Sequence, residues 1–200
     1  MILKLIVLLA FALFHSGAAF AFEHKDQSFR LSQEVLDALE VGVDTPFLML
    51  GQTLEERLEL RGIEAVRRYQ IPVQRFPSHQ SCLSPEGNFR WGRFRSVQDV
   101  EVCVFRISSK LKDARLIADF LVSIGFKEPT QIESPEVAMR LYGVSGKGLV
   151  LSTSITPKNY PFTLLVGNRW PFDLAYAFRT GVRISEEGQV LSVNAGFSVN

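Results

Sequence analysis

The chain has 200 residues, 46% hydrophobic and 11% aromatic, with 22 Lys and Arg against 21 Asp and Glu. That apolar content excludes a disordered secreted polypeptide, and the near-balance of charge removes any general electrostatic case for binding nucleic acid or an anionic membrane. The length suits one domain with a full core.

Lys4, the apolar run Leu5 to Phe14 and the small residues ending in Ala19-Phe20-Ala21 have the three-part layout of a secretory signal peptide, cleaved after Ala21. The apolar run is about half of the roughly 20 residues needed to span hydrocarbon. The expected organisation is therefore a signal peptide over 1–21, an N-terminal helical lead-in over 22–45 and a single domain over 46–200. The mature chain is expected in the periplasm or outside the cell, without a transmembrane segment. Cleavage removes only Lys4 among the Lys, Arg, Asp and Glu residues, leaving 21 bases against 21 acids.

In chain order, Ser32 is placed to cap a helix over Gln33 to Val41, with Val35, Leu36 and Leu39 on one face. Thr45-Pro46 breaks the chain before PFLML, which reads as a short buried strand. Thr53 lies three residues before Glu56, the spacing of a capping box, and predicts a helix to about Arg61 closed by Gly62-Ile63. The stretch LMLGQTLEERLELRG resembles the strand-Gly-x-Thr-helix-Gly opening of small outer-membrane assembly lipoproteins. The likeness covers these residues alone and lacks that family's lipidated cysteine, so no function is carried over.

Strands are predicted at Arg68 to Val73, Phe89 to Arg95 and Asp99 to Ile107, the last with Val100, Val102 and Val104 alternating against Cys103, Phe105 and Ile107. Leu111, Ala114, Ile117, Ala118, Leu121 and Ile124 keep helical spacing over 110–124, with Gly125-Phe126 as the stop. A hairpin follows, Val137 to Val144 with Leu149 to Ile155, then a strand at Tyr160 to Val166. A short helix is expected around Asp173 to Arg179, and a last hairpin turns at Glu186-Glu187-Gly188. The fold class is α+β: a mixed, mainly antiparallel sheet with two to four helices packed on it and one disulfide.

That disulfide follows from the expected compartment. Cys82 and Cys103 are the only cysteines, thiols in an oxidising environment pair, and two cysteines allow one intramolecular bond. Closing such a loop contributes about 3 kcal/mol in the chain-entropy account. A metal site built on His79 and Cys82 lacks ligands, because structural zinc takes four and the mature chain offers only His24, His79 and the cysteine pair. No metal and no cofactor is expected.

Catalytic patterns are sparse. His24 lies next to the new terminus, and His79 sits in the loop PVQRFPSHQSC, where it reads as solvated with nothing to orient it as a base. Gly143-Val144-Ser145-Gly146-Lys147-Gly148 lacks both the Walker spacing and the strand-to-helix setting of a nucleophile elbow, and reads as a hairpin turn. Of the paired carboxylates, Glu55-Glu56 suits a helix start, Glu186-Glu187 a turn, and Asp99 with Glu101 one solvent face of a strand.

What remains is the segment from Arg67 to Arg95, where Arg67, Arg68, Arg75, Arg90, Arg93 and Arg95 accompany a single acid, Glu86, and aromatic residues are interleaved. Two readings stay open. Either the aromatics pack inward while the arginines pair with the acids of the Glu55 to Glu64 helix, or the segment is a binding surface of the Trp and Arg type that dominates interfaces. On the second reading Arg90, Trp91, Arg93, Phe94 and Arg95 engage an acidic protein partner or an anionic envelope polymer, with Trp170 as a second aromatic contact or core residue. The expected function is an exported binding, inhibitory or accessory protein rather than an enzyme. The alternative is a small secreted hydrolase using two carboxylates assembled by folding.

Overall fold

The computed structural model describes residues 29–132, 148–155 and 177–198. Five helices lie among them: α1 (Gln33–Glu40), α2 (Leu54–Arg61), α3 (Ile63–Arg75), α4 (Val97–Leu111) and α5 (Ala114–Ser123). A two-stranded antiparallel hairpin pairs β1 (Leu48–Met49) with β2 (Gln52–Thr53). A four-stranded antiparallel sheet runs in the order β3 (Thr130–Ile132), β4 (Leu149–Ile155), β5 (Ala177–Ile184), β6 (Val190–Ser198). The class is α+β with one disulfide, Cys82–Cys103. The predicted strand at Tyr160 to Val166, the first strand of the predicted 137–155 hairpin, and Trp170 lie outside the described residues.

Several local predictions hold for the reasons given. Ser32 Oγ accepts the Val35 N–H at 3.3 Å, and Val35 and Leu39 bury the inner face of α1. Thr53 and Glu56 form the reciprocal box at 3.2 and 2.7 Å. PFLML contributes β1 through its central Leu48 and Met49, with Phe47 and Leu48 buried. The β5–β6 hairpin turns through Glu186 to Gly188, where Ser185 and Gln189 join by a backbone hydrogen bond of 2.8 Å.

Three predicted strands are not strands. Asp99 to Ile107 lies inside α4, in which every residue from Asp99 to Leu111 is buried. The helix keeps a helical apolar period, but Val100, Val102 and Val104 are β-branched and fit a two-residue alternation as well, so the run mimics a strand. Arg68 to Val73 belongs to α3, whose inner face is Val66, Tyr69 and Pro72, while Ile71, the residue that completed the apparent alternation, is 63% exposed. Phe89 to Arg95 makes only a bridge from Leu83 to Phe89 before a 3₁₀ turn over Trp91–Arg93. Its buried positions, Phe89, Trp91 and Phe94, are spaced by two and then three.

Two helix predictions also move. Lys112 adopts φ +58 and Asp113 caps α5 by accepting the Arg115 and Leu116 N–H groups, so 110–124 is two helices with a sharp joint. Residues 177–179, expected at the end of a helix, start β5, where Phe178 pairs with Ile155 and Phe197; 173–176 lie outside the described residues.

The helix α4 is the spine of the core, packed by α1, α3, α5 and β6. Phe105 and Ile107 from α4, Phe120 and Leu121 from α5, and Leu151, Phe178 and Val182 from the sheet join one apolar cluster. Beside it Phe89, Trp91 and Phe94 meet edge-to-face or tilted, with ring centroids 4.8–5.5 Å apart. The Trp91 Nε1–H donates to the Ile124 carbonyl at 3.1 Å, which satisfies the one polar atom in that aromatic nest.

Candidate functional site

The two ends of the segment, Arg67 to Arg75 and Arg95, meet across a groove. Gly62, at φ +77, lets α2 stop and α3 start in a new direction, a conformation that L side chains rarely adopt. The helix α3 turns Val66 and Tyr69 inward, and the residues at 64, 67, 68, 71 and 75 share its opposite face by helical spacing. That face and the start of α4 bound an open groove of about 690 Å³. Arg67, Arg68, Arg75 and Arg95 line it, Glu64 is the only carboxylate in its lining among the described residues, and Ile71 and Pro72 supply its apolar floor.

Asp99 fixes the groove's far wall. Ser96 Oγ accepts the Asp99 N–H at 3.2 Å, and Asp99 Oδ2 accepts the backbone N–H groups of Arg95 (2.6 Å) and Ser96 (3.1 Å). The same oxygen accepts Arg75 Nη1 at 2.6 Å, with the carboxylate fully buried. Asp99 thus caps α4, pins the backbone beside Arg95 and clamps Arg75. The Ser96-x-x-Asp99 capping pattern before an apolar run is a helix-start signal legible in the sequence, and it was masked by the strand-like alternation that follows.

The cations differ in freedom. Arg67 meets Glu64 at 3.4 Å with both side chains mostly exposed, an arrangement of small energetic weight. The Arg68 guanidinium lies 5.1 Å from the Tyr69 ring centroid. Arg68 and Arg95 have no ion-pair partner among the described residues. Except for the Arg67–Glu64 contact, the expected pairing of this segment with acids of the Glu55 to Glu64 helix does not form; Arg75 takes its partner from α4 instead.

Of the residues predicted to form a binding surface, Trp91 (5% exposed) and Phe94 (1%) are core. Arg90, Arg93 and Arg95 are exposed. Arg93 lies over the Phe76 ring at 5.7 Å and donates to the Ser81 carbonyl at 3.3 Å. Arg95 is the one predicted site residue that reaches the groove, where it joins Arg67, Arg68 and Arg75 from a helix that the sequence pattern presents as a strand.

Behind the groove, the Tyr69 hydroxyl donates to Glu101 Oε2 at 2.7 Å, and the Ala195 N–H of β6 donates to Glu101 Oε1 at 2.7 Å. Burial pushes the Glu101 carboxyl above its ordinary range, against the pull of these two donors and of Arg68. Burial and the adjacent Glu101 likewise raise the Tyr69 hydroxyl, so it stays protonated and donating. Asp99 and Glu101, expected on one solvent face, are both buried and serve different partners, because residues two apart on a helix point in nearly opposite directions. They do not form the facing carboxylate pair that a hydrolase would use.

His79 is not the solvated residue its loop suggests. It is buried, and its Nδ1 lies 2.6 Å from Asp44 Oδ1. A carboxylate orienting an imidazole is half of a nucleophilic triad. No hydroxyl or thiol bonds the other ring nitrogen among the described residues, and Cys82 is committed to the disulfide. The pair instead belongs to a staple: Arg106 donates to the Thr45 carbonyl at 2.6 Å and Lys110 to the Gly42 carbonyl, so residues 42–45 are tied to α4 beside His79. Buried donors thereby find acceptors in a segment without regular structure.

No protein-family model, curated protein or solved structure matches this chain. The chemistry of the groove therefore carries the functional argument.

Proposed function

We propose that this chain is an exported binding protein, an accessory or inhibitory module that holds a negatively charged partner in the α3–α4 groove. The observation that carries the reading is the convergence of Arg67, Arg68, Arg75 and Arg95 on one concave surface lined, among the described residues, by a single carboxylate. Guanidinium groups match carboxylates in a two-pronged geometry, and such charge-assisted pairs are stronger than neutral hydrogen bonds. Arg75 is held in place by Asp99 before any ligand arrives, which lowers the ordering cost of binding. Arg95, and Arg68 beside the Tyr69 ring and within electrostatic reach of Glu101, carry no ion pair among the described residues, and Arg67 exchanges its exposed contact with Glu64 for a ligand carboxylate. Export is supported by the N-terminal pattern of residues 1–21 and accords with the Cys82–Cys103 disulfide.

Calorimetric titration of the oxidised mature chain with an acidic peptide tests the site. The Arg68→Glu, Arg95→Glu variant is expected to lose about tenfold or more in affinity, the equivalent of one good charged contact. The Arg90→Glu, Arg93→Glu variant is the control and is expected to bind as the parent does. Loss in the Arg90→Glu, Arg93→Glu variant alone would place the surface there, equal loss in both would reduce the effect to overall charge and remove the groove, and no loss in either would remove the basic surface from the account.

A further inference from the structure

We infer that the occupant of the groove is an acidic amphipathic helix from a partner protein, lying along α3 with an apolar side chain on Ile71. This rests on the binding role proposed above and adds the conformation and pattern of the ligand. Three observations point to it. Ile71 is 63% exposed in the middle of an otherwise charged face, where a large aliphatic side chain gains nothing from water. Arg68 and Arg75 flank it at three residues before and four after, on the same helix face. Arg95 and Gln98 form the opposite wall, so the ligand is gripped from two sides.

The spacing selects the ligand's conformation. Arg75 follows Arg68 by seven helical steps, about 10 Å along the axis. A helical ligand repeats the same interval, so acids at positions i and i+7 reach both arginines while an apolar residue at i+3 or i+4 meets Ile71. An extended peptide places residues on one face at multiples of about 7 Å, which fits neither the interval nor an apolar contact midway. A phosphate polymer has no side chain to cover an isoleucine.

Fluorescence anisotropy with three labelled peptides of equal length and charge tests the inference on the oxidised mature chain. The first has Glu at i and i+7 with Leu at i+3 and i+4 on a helix-forming background. The second has the same composition scrambled so that these residues leave a common face, and the third is a glutamate-rich peptide without Leu. The first is expected to bind about tenfold more tightly than the others, the scale that covering one aliphatic side chain supplies, and to gain helical circular dichroism when bound. Ile71→Ser, at an exposed position, is expected to abolish that preference while leaving the glutamate-rich peptide unaffected.

Equal binding of all three peptides, each lost in Arg68→Glu, Arg95→Glu, would overturn the helical ligand and leave the anion-binding groove standing. Absence of binding by all three would overturn both. Tighter binding to vesicles containing an anionic phospholipid than to any peptide would replace the protein partner with a membrane.

Discussion

Leu50 holds φ +54 next to Gly51 at φ +80, in the two-residue turn between Met49 and Gln52. Both central residues of such a turn need positive φ, which Asn-Gly satisfies readily and a leucine does not. Leu50 is 40% exposed, so little burial offsets the strain. The Leu50→Asn variant is therefore expected to raise stability by about 1 kcal/mol, read as a higher denaturant midpoint with an unchanged slope. An unchanged or lower midpoint would mean that leucine's contacts there outweigh the backbone cost. The turn is also anchored, since the Gly51 N–H donates to the Leu191 carbonyl of β6 at 2.8 Å.

Two elements carry testable consequences for the spine of the fold. The disulfide joins a 3₁₀ turn at Cys82 to the middle of α4 at Cys103, across a sequence separation of 21. Replacing both cysteines with alanine is expected to cost about 3 kcal/mol in chemical unfolding, and reductant should lower the parent to the same level. A cost near zero would show that the surrounding aromatic packing alone fixes the loop. Glu101 links α3, α4 and β6, and together with the Gly51 contact it occupies backbone groups on the outer edge of β6 that would otherwise invite another strand. Its folded pKa is raised by burial, so its contribution to stability is full below the unfolded carboxyl pKa and is lost as pH rises through the folded value. Glu101→Gln keeps a neutral group of the same shape. It is expected to remove that decline, so that the stability difference between variant and parent moves in the variant's favour from about pH 4 to pH 7. A difference independent of pH would show that Glu101 is not the titrating group.

At the scale of the whole molecule, what the sequence revealed depended on whether a segment fitted one period or two. Helices were announced by Ser32, by Thr53 with Glu56, and by the spacing of Ile117 and Leu121 in α5. The cysteine pair was legible from its solitude and the expected compartment. The helices α3 and α4 were not, because Tyr69, Ile71 and Val73, and Val100, Val102 and Val104, also alternate by two, and losing them displaced the site. Read as strands, Arg68 to Val73 and Phe89 to Arg95 scatter their cations over two faces. Folded as α3 and a 3₁₀ turn, they bring Arg68 and Arg95 to the groove that Arg67 and Arg75 also line and send Trp91 and Phe94 inward. The Arg75–Asp99 clamp and the His79–Asp44 pair join residues 24 and 35 apart in sequence, a range at which no periodicity speaks.

The central claim, an anion-binding groove between α3 and α4, is tested most directly by nuclear magnetic resonance. Backbone amides of the oxidised mature chain are followed during titration with the amphipathic acidic peptide. The account predicts saturable shifts confined to residues 64–75 and 95–98, abolished by Arg68→Glu with Arg95→Glu. Shifts centred on Arg90 and Arg93, or spread evenly over the surface, would contradict it.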